Sequence, residues 1–206
     1  MDSVSFLHLR HYYHQNPYSV NAHHKSESDI QQELQQIEAA KKDPLRFGVL
    51  YDRYYKSVFV FIYRRTDNEE LAADLTSQVF LKALINIKKY VFKGVPFSAW
   101  LFRIAFNEIN MYFRKNKTQR VVSLDQLGLK QIAQEAEQEG DPEAVKRMMA
   151  TLKHLDAIDL QMIELRFFEK RSFAEVGQIT GITENNAKVK VYRILDKIRK
   201  LMGEKK

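Results

Sequence analysis

Trp100, Arg103, Asn107, Asn110 and Arg114 recur at steps of three and four residues, so on a helix they share one face. A ring, two guanidinium groups and two amides in one line have the chemistry of a surface for unpaired nucleotides. Unpaired bases offer flat faces to stack and edges to hydrogen-bond, and their backbone offers phosphates to a cation. Solvated helix faces also carry Arg and Asn, and a single Trp is more often a core anchor, so the stripe draws its weight from its surroundings. A second set lies near the C-terminal end. Asn185, Asn186, Val189, Tyr192 and Arg193 fall on one side of a helix, flanked by Lys188 and Lys190. Amides, cations and a Val able to meet a thymine methyl are what a reader of duplex DNA brings to the major groove. A helical hairpin with a charged face would give the same pattern. In a third set, Asp74, Gln78 and Lys82 stand every fourth residue, bordered by Leu71, Leu81 and Ile85. A narrow polar seam between outward apolar residues suits docking of another protein, although a helix buried on both sides would look alike.

These residues need helices to position them, and hydrophobic periodicity supplies candidates. The stripe belongs to a helix expected over 96–117, whose other side gathers Leu101, Phe102, Ala105, Phe106, Ile109, Tyr112 and Phe113. A loop with Lys93, Gly94, Phe97 and Ser98 feeds it. Upstream, Ser28 or Asp29 opens a short polar helix with Ile30, Leu34 and Ile37 inward. Asp43 followed by Pro44 predicts a helix over 44–65 with an aromatic inner face from Phe47, Leu50, Tyr51, Tyr54, Val58, Phe61 and Ile62. Thr66 and Asp67 read as the start of the next helix, the one with the docking seam, and Ala72, Phe80, Ala83, Leu84 and Ile87 form its inner side. After an acidic stretch, Pro142 opens a helix carrying Val145, Met148, Met149 and Leu152. A helix over 156–168 follows, with Ile158, Met162, Ile163, Leu165 and Phe167 core-like, and then a turn at Glu169, Lys170 and Arg171. Ser172 caps a short helix, Gly181 breaks it, and Thr183 caps a last helix with Ala187, Val191, Ile194, Leu195, Ile198 and Leu201 inward. Small Gly177 and Gly181 fit the tight turn of a helix-turn-helix.

The expected fold is all-α. Two small helical domains, 44–118 and 143–206, are joined by an acidic linker over 119–142 and preceded by a partly disordered extension over 1–43. Charge divides the same way. The net charge of +7 splits into −2 over 1–43, +8 over 44–120, −5 over 121–145 and +6 over 146–206. Two basic blocks around an acidic spacer suggest two contacts with a polyanion. There is no Cys, so disulfides and thiolate metal sites are excluded. His8, His11 and His14 recur every third residue, but no carboxylate or Cys completes a metal set. No apolar run approaches membrane-spanning length, and no secretion signal opens the chain, which predicts a cytoplasmic protein without membrane insertion. No nucleophile elbow, glycine-rich phosphate loop or zinc motif is present, so no enzyme activity, metal or cofactor is expected.

The two blocks resemble the extracytoplasmic-function group of bacterial sigma factors, small initiation subunits of RNA polymerase. LYDRYYKSVFVFIYRRT, NEELAADLTSQVFLKAL and PFSAWLFRIAFNEINMYFRK follow region two of that family, and LRFFEKRSFAEVGQITGITENNAKVKVYRILDKIR follows region four. The resemblance covers about 44–118 and 145–202. It implies a factor that binds core polymerase and directs promoter-specific initiation. Asp74, Gln78, Leu81, Lys82 and Ile85 would meet the clamp helices of the largest subunit. Lys93, Gly94, Phe97 and Ser98, with Trp100, Arg103, Asn107, Asn110 and Arg114, would trap melted bases of the minus-ten element, with no nucleotide cofactor required. Asn185, Asn186, Lys188, Val189, Lys190, Tyr192 and Arg193 would read the minus-thirty-five duplex, with the flap of the polymerase on the domain's other side. The resemblance also implies an anti-sigma partner. The sequence departs from the family at Ala73 to Gln78, where Glu-Asp-Leu-Val-Gln-Glu is common, and at Asn185-Asn186, where Gly-Thr is usual. The rival expectation is a stand-alone helix-turn-helix regulator whose N-terminal bundle senses or dimerises.

Overall fold

The computed structural model describes residues 27–116, 147, 150–152 and 154–202. His8, His11 and His14, the acidic linker, and Val145, Met148 and Met149 lie outside the described residues. Every regular element among the described residues is helical, and no helix is long and apolar enough to cross a membrane. The chain divides into two compact units.

The first unit spans Lys25–Val121 and takes in Phe173–Glu184. Its opening helix α1 (Glu27–Lys42) buries Ile37 and Ala40 while Ile30 and Leu34 are half-buried. Asp43 then accepts a hydrogen bond from the Leu45 N–H at 3.0 Å, with Pro44 in the first position, as the sequence predicts. The expected single helix is instead a 3-10 turn (Pro44–Phe47) followed by α2 (Gly48–Thr66). Of the expected inner face of α2, Leu50, Tyr54, Val58, Phe61 and Ile62 are buried, but Tyr51 is 39% exposed.

The expected start at Thr66 and Asp67 is displaced. Asp67 adopts a left-handed φ of 50°, which ends α2, and Asn68 takes over as cap by accepting from the Leu71 N–H at 2.8 Å. The helix it opens, α3 (Glu69–Asn86), buries Ala72, Leu75, Thr76, Val79, Phe80 and Ala83, and runs on into a short 3-10 turn (Ile87–Lys89). α4 (Phe97–Asn116) buries Leu101, Phe102, Ala105, Phe106 and Ile109, the predicted face, with Tyr112 and Phe113 half-buried at its end. It packs against both α2 and α3. Phe61 of α2 meets Phe102 of α4 at 4.8 Å between ring centroids, and the guanidinium of buried Arg65 lies 3.6 Å from the Phe61 ring centre. That cation-π contact lets a long cationic side chain end α2 inside the core.

The remaining piece of this unit is α6 (Phe173–Thr180) with the turn after it. A Cβ on Gly177 would come within 2.9 Å of the Ile182 carbonyl oxygen, so only glycine fits that turn.

The second unit contains α5 (Ala157–Ile163) and all but the first residue of α7 (Glu184–Leu201). Asp156 caps α5 by accepting from the Asp159 N–H at 2.8 Å. A π-helical turn (Glu164–Phe168) continues α5, and Lys170 at a φ of 55° turns the chain where the sequence predicts. Met162, Ile163 and Leu165 are buried, whereas Ile158 is 46% exposed and leaves the expected core. α7 buries Ala187, Val191, Ile194 and Ile198. Leu201 was expected inward but is 51% exposed, because it sits in the last turn where the face has run out.

Candidate nucleic-acid interface

The helix α4 and the loop before it carry the first group of predicted residues. Lys93 and Gly94 are exposed, and Gly94 holds a left-handed φ of 71° that suits glycine. Phe97 and Ser98 are placed differently from the sequence expectation. Phe97 is fully buried at the start of α4, 5.1 Å from Tyr90 and 5.9 Å from Tyr54 between ring centroids, so its ring faces the core. Ser98 is buried beside it. Trp100 is half-buried and completes an aromatic trio, 5.2 Å from Tyr90 and 5.3 Å from Phe97. Its ring is thus braced from behind by two others, which fixes the orientation of any face it presents.

Further along the stripe, Asn107 and Arg114 are exposed and Asn110 is half-buried. Arg103 is half-buried, with its guanidinium against Gly181: a Cβ there would come 3.3 Å from an Arg103 terminal nitrogen.

On α3, the residues of the expected docking seam differ in exposure. Asp74 and Gln78 are exposed, with Leu81 58% and Ile85 68% exposed beside them. Lys82 has a further commitment. Its Nζ donates to both carboxylate oxygens of Glu108 on α4 at 2.6 Å. Glu108 is buried, so Lys82 supplies the counter-charge that makes burial of that carboxylate tolerable. Sequence reasoning missed Glu108, yet a signal exists: it is the sole acidic residue between Asp74 and Asp125.

The face of α7 presents Asn185, Asn186, Lys188, Val189, Tyr192 and Arg193 exposed. Lys190 is half-buried and turns toward α5, 3.7 Å from Asp159 Oδ1, while Lys197 lies 3.6 Å from Oδ2. Partial burial and the neighbouring Asp156 hold the Asp159 carboxyl above its ordinary pKa, and the two lysines oppose that shift. Also missed were Val91 and Phe92, 68% and 39% exposed in the loop before α4. An apolar pair bounded by Tyr90 and Lys93 was the available signal. Among the described residues no cluster of His, Asp and Glu could hold a metal ion.

With two helical units, one bearing a braced aromatic surface and the other an outward basic helix, the chain matches known proteins twice over. The profile of Sigma-70 region 2 matches residues 50–119, and that of Sigma-70, region 4 matches residues 151–200. The sigma factor BldN of Streptomyces coelicolor is 29% identical over 187 residues, covering 87% of this chain and 69% of its own length. SigM of Bacillus subtilis is 27% identical over 154 residues, covering 74% of this chain and 92% of its own. CnrH, solved in complex with the cytosolic domain of CnrY, shares the fold with a TM-score of 0.53 at 19% identity, over 84% of this chain and 99% of that one.

The chain belongs to the sigma-70 family, and within it to the extracytoplasmic-function sigma factors. As such it directs promoter-specific initiation by RNA polymerase, and the family is one of initiation factors, not of enzymes.

Proposed function

We propose a division of labour among three faces. The seam of Asp74, Gln78, Leu81 and Ile85 docks on the clamp helices of the polymerase largest subunit, with Lys82 fixing α3 to α4 from within. The loop 90–96 and the stripe of α4, Trp100, Arg103, Asn107, Asn110 and Arg114, hold melted minus-ten bases. Trapping unpaired bases drives strand separation without a nucleotide cofactor. Asn185, Asn186, Lys188, Val189, Tyr192 and Arg193 read the minus-thirty-five duplex, and the other side of that domain meets the polymerase flap. The factor works in the cytoplasm, where the polymerase is, and a masking protein partner holds it in reserve; CnrH is known in complex with the cytosolic domain of CnrY.

The observation that carries this reading is the uncovered apolar pair Leu81 and Ile85 beside Asp74 and Gln78. A stand-alone regulator could dimerise through such a face but has no use for a base-stacking surface in the same unit. The test mixes purified protein with sigma-free core polymerase, isolates the complex by size exclusion and transcribes fragments of the host genome. A stable complex that starts at defined sites, with permanganate-reactive thymines upstream, is expected. Asp74→Arg removes the complex but leaves the α7 face intact. Symmetric protection of a palindrome by the protein alone, with no polymerase complex, overturns the reading in favour of the regulator.

A further inference from the structure

Glu33 is 3% exposed, a carboxylate in the core of the first unit. It stands on α1, outside both matched regions, 50–119 and 151–200. Burying a carboxylate is costly unless hydrogen bonds compensate it, so its partners show what it is for. Oε1 accepts from the Tyr54 hydroxyl of α2. Oε2 accepts from the backbone N–H of Phe97 at 3.3 Å, the first residue of α4. The opening N–H groups of a helix have no partner within it and favour a negative charge, and here another helix provides one.

The same helix reaches the other end of the loop. Lys41 Nζ lies 5.9 Å from the centre of the Tyr90 ring, and Tyr90 packs on Phe97 and Trp100. Burial, and secondarily the charge of Glu33, push the Tyr90 hydroxyl up to about 12. Thus α1 holds the loop at residue 90 and at residue 97, and between these anchors Val91, Phe92, Lys93 and Gly94 face solvent.

We propose that Glu33 is a positioning residue for the minus-ten contact: from α1 it ties the first amide of α4 to the Tyr54 hydroxyl and so fixes the loop 90–96 and the Trp100 ring for base capture. This rests on the reading that these residues bind melted bases. The preceding helix is then part of the promoter-reading surface although it touches no base. A loop anchored at both ends loses less conformational freedom on binding, which appears as affinity.

The test uses full-length protein, wild type, Glu33→Leu and Glu33→Gln, with core polymerase and the nontemplate-strand oligonucleotide from a promoter found by genomic transcription. Strand binding is read from the fluorescence anisotropy of an end-labelled oligonucleotide, since the tryptophans of polymerase would mask Trp100, the single one of this chain. Glu33→Leu fills the space but accepts no hydrogen bond, and weakens the oligonucleotide by about tenfold while polymerase binding is unchanged. Glu33→Gln keeps an acceptor for the Phe97 N–H and restores binding to within about twofold. Unchanged strand affinity in Glu33→Leu overturns the proposal. So does equal loss of strand and polymerase affinity that Glu33→Gln fails to relieve, since that is the mark of a merely structural group. Amide exchange on the wild type decides independently of whether Glu33→Leu folds. The Phe97 amide is expected to exchange as slowly as the amides of the α4 interior, and exchange at the rate of the loop amides overturns the contact. Failure of wild type to join polymerase would count against the function above, and the Phe97 exchange rate would still decide the Glu33 contact.

Discussion

The helices α4 and α7 are both basic and both amphipathic, but they meet solvent in opposite ways. α7 buries one stripe, Ala187, Val191, Ile194 and Ile198, and leaves most of its circumference exposed. α4 buries nine residues, among them Phe97, Ser98 and Glu108, and its first fully exposed side chain is Asn107, halfway along. The difference fits the two targets. Duplex DNA is stiff and already shaped, so its reader can be a rod that slides into a groove. Unpaired bases have no shape of their own, so a surface that holds them must supply it, and the walls around α4 suit it to that proposed role.

This contrast can be broken or sharpened by substitution. The largest effect is expected at Phe97. As a buried wall of the trio, Phe97→Ala should cost about 3–5 kcal/mol of stability in the first unit, read by chemical denaturation; a protein of unchanged stability that loses only strand binding would return Phe97 to the base-contacting surface. Next comes the pair Lys188→Ala with Arg193→Ala on α7. Both side chains are exposed, so promoter affinity should fall roughly a hundredfold with no shift in thermal midpoint. A large drop in that midpoint would show that α7 is walled in like α4.

Lys82→Ala should cost roughly 2 kcal/mol, because it leaves Glu108 buried without its cation, an effect reduced by the partial exposure of Lys82. Adding Glu108→Gln should recover part of the loss in a double-mutant cycle, and strict additivity would mean that the two side chains do not interact. Smallest is Val189→Ala, which removes apolar surface from the outward face of α7. It should relax discrimination at one base pair by less than about 1 kcal/mol, visible as a changed preference in competition between promoter variants.

The same contrast explains what could be read in advance. α7 was legible because a helix with one buried stripe has one period, and Ala187 to Ile198 follow it without interruption. In α4 the apolar face was correct, but Phe97 and Ser98 belong to its first turn, where the chain enters from a loop and burial depends on what packs there. Tyr54 and Tyr90 pack on Phe97, and neither contact leaves a mark on helical periodicity. Glu33 and Glu108 escaped for a related reason. A lone carboxylate on a helix reads as solvated, and its partners, Tyr54 and the Phe97 amide for one and Lys82 for the other, show that it is not. The break at Asp67 turned on a left-handed backbone that Asp tolerates without requiring it.

The contact of Lys82 with Glu108 also bears on how ionic strength acts on the factor. Its charge is balanced inside the first unit, so on the reading proposed above the face of α3 meets polymerase chiefly through Leu81 and Ile85, and apolar contacts are insensitive to screening. Among the described residues Lys188 and Arg193 have no such ion pair, and on the same reading they release counterions when they meet phosphates, a gain that shrinks steeply as salt rises. Rising salt should therefore strip the factor from its promoter before it strips it from polymerase, leaving a loaded enzyme free to search for its site again.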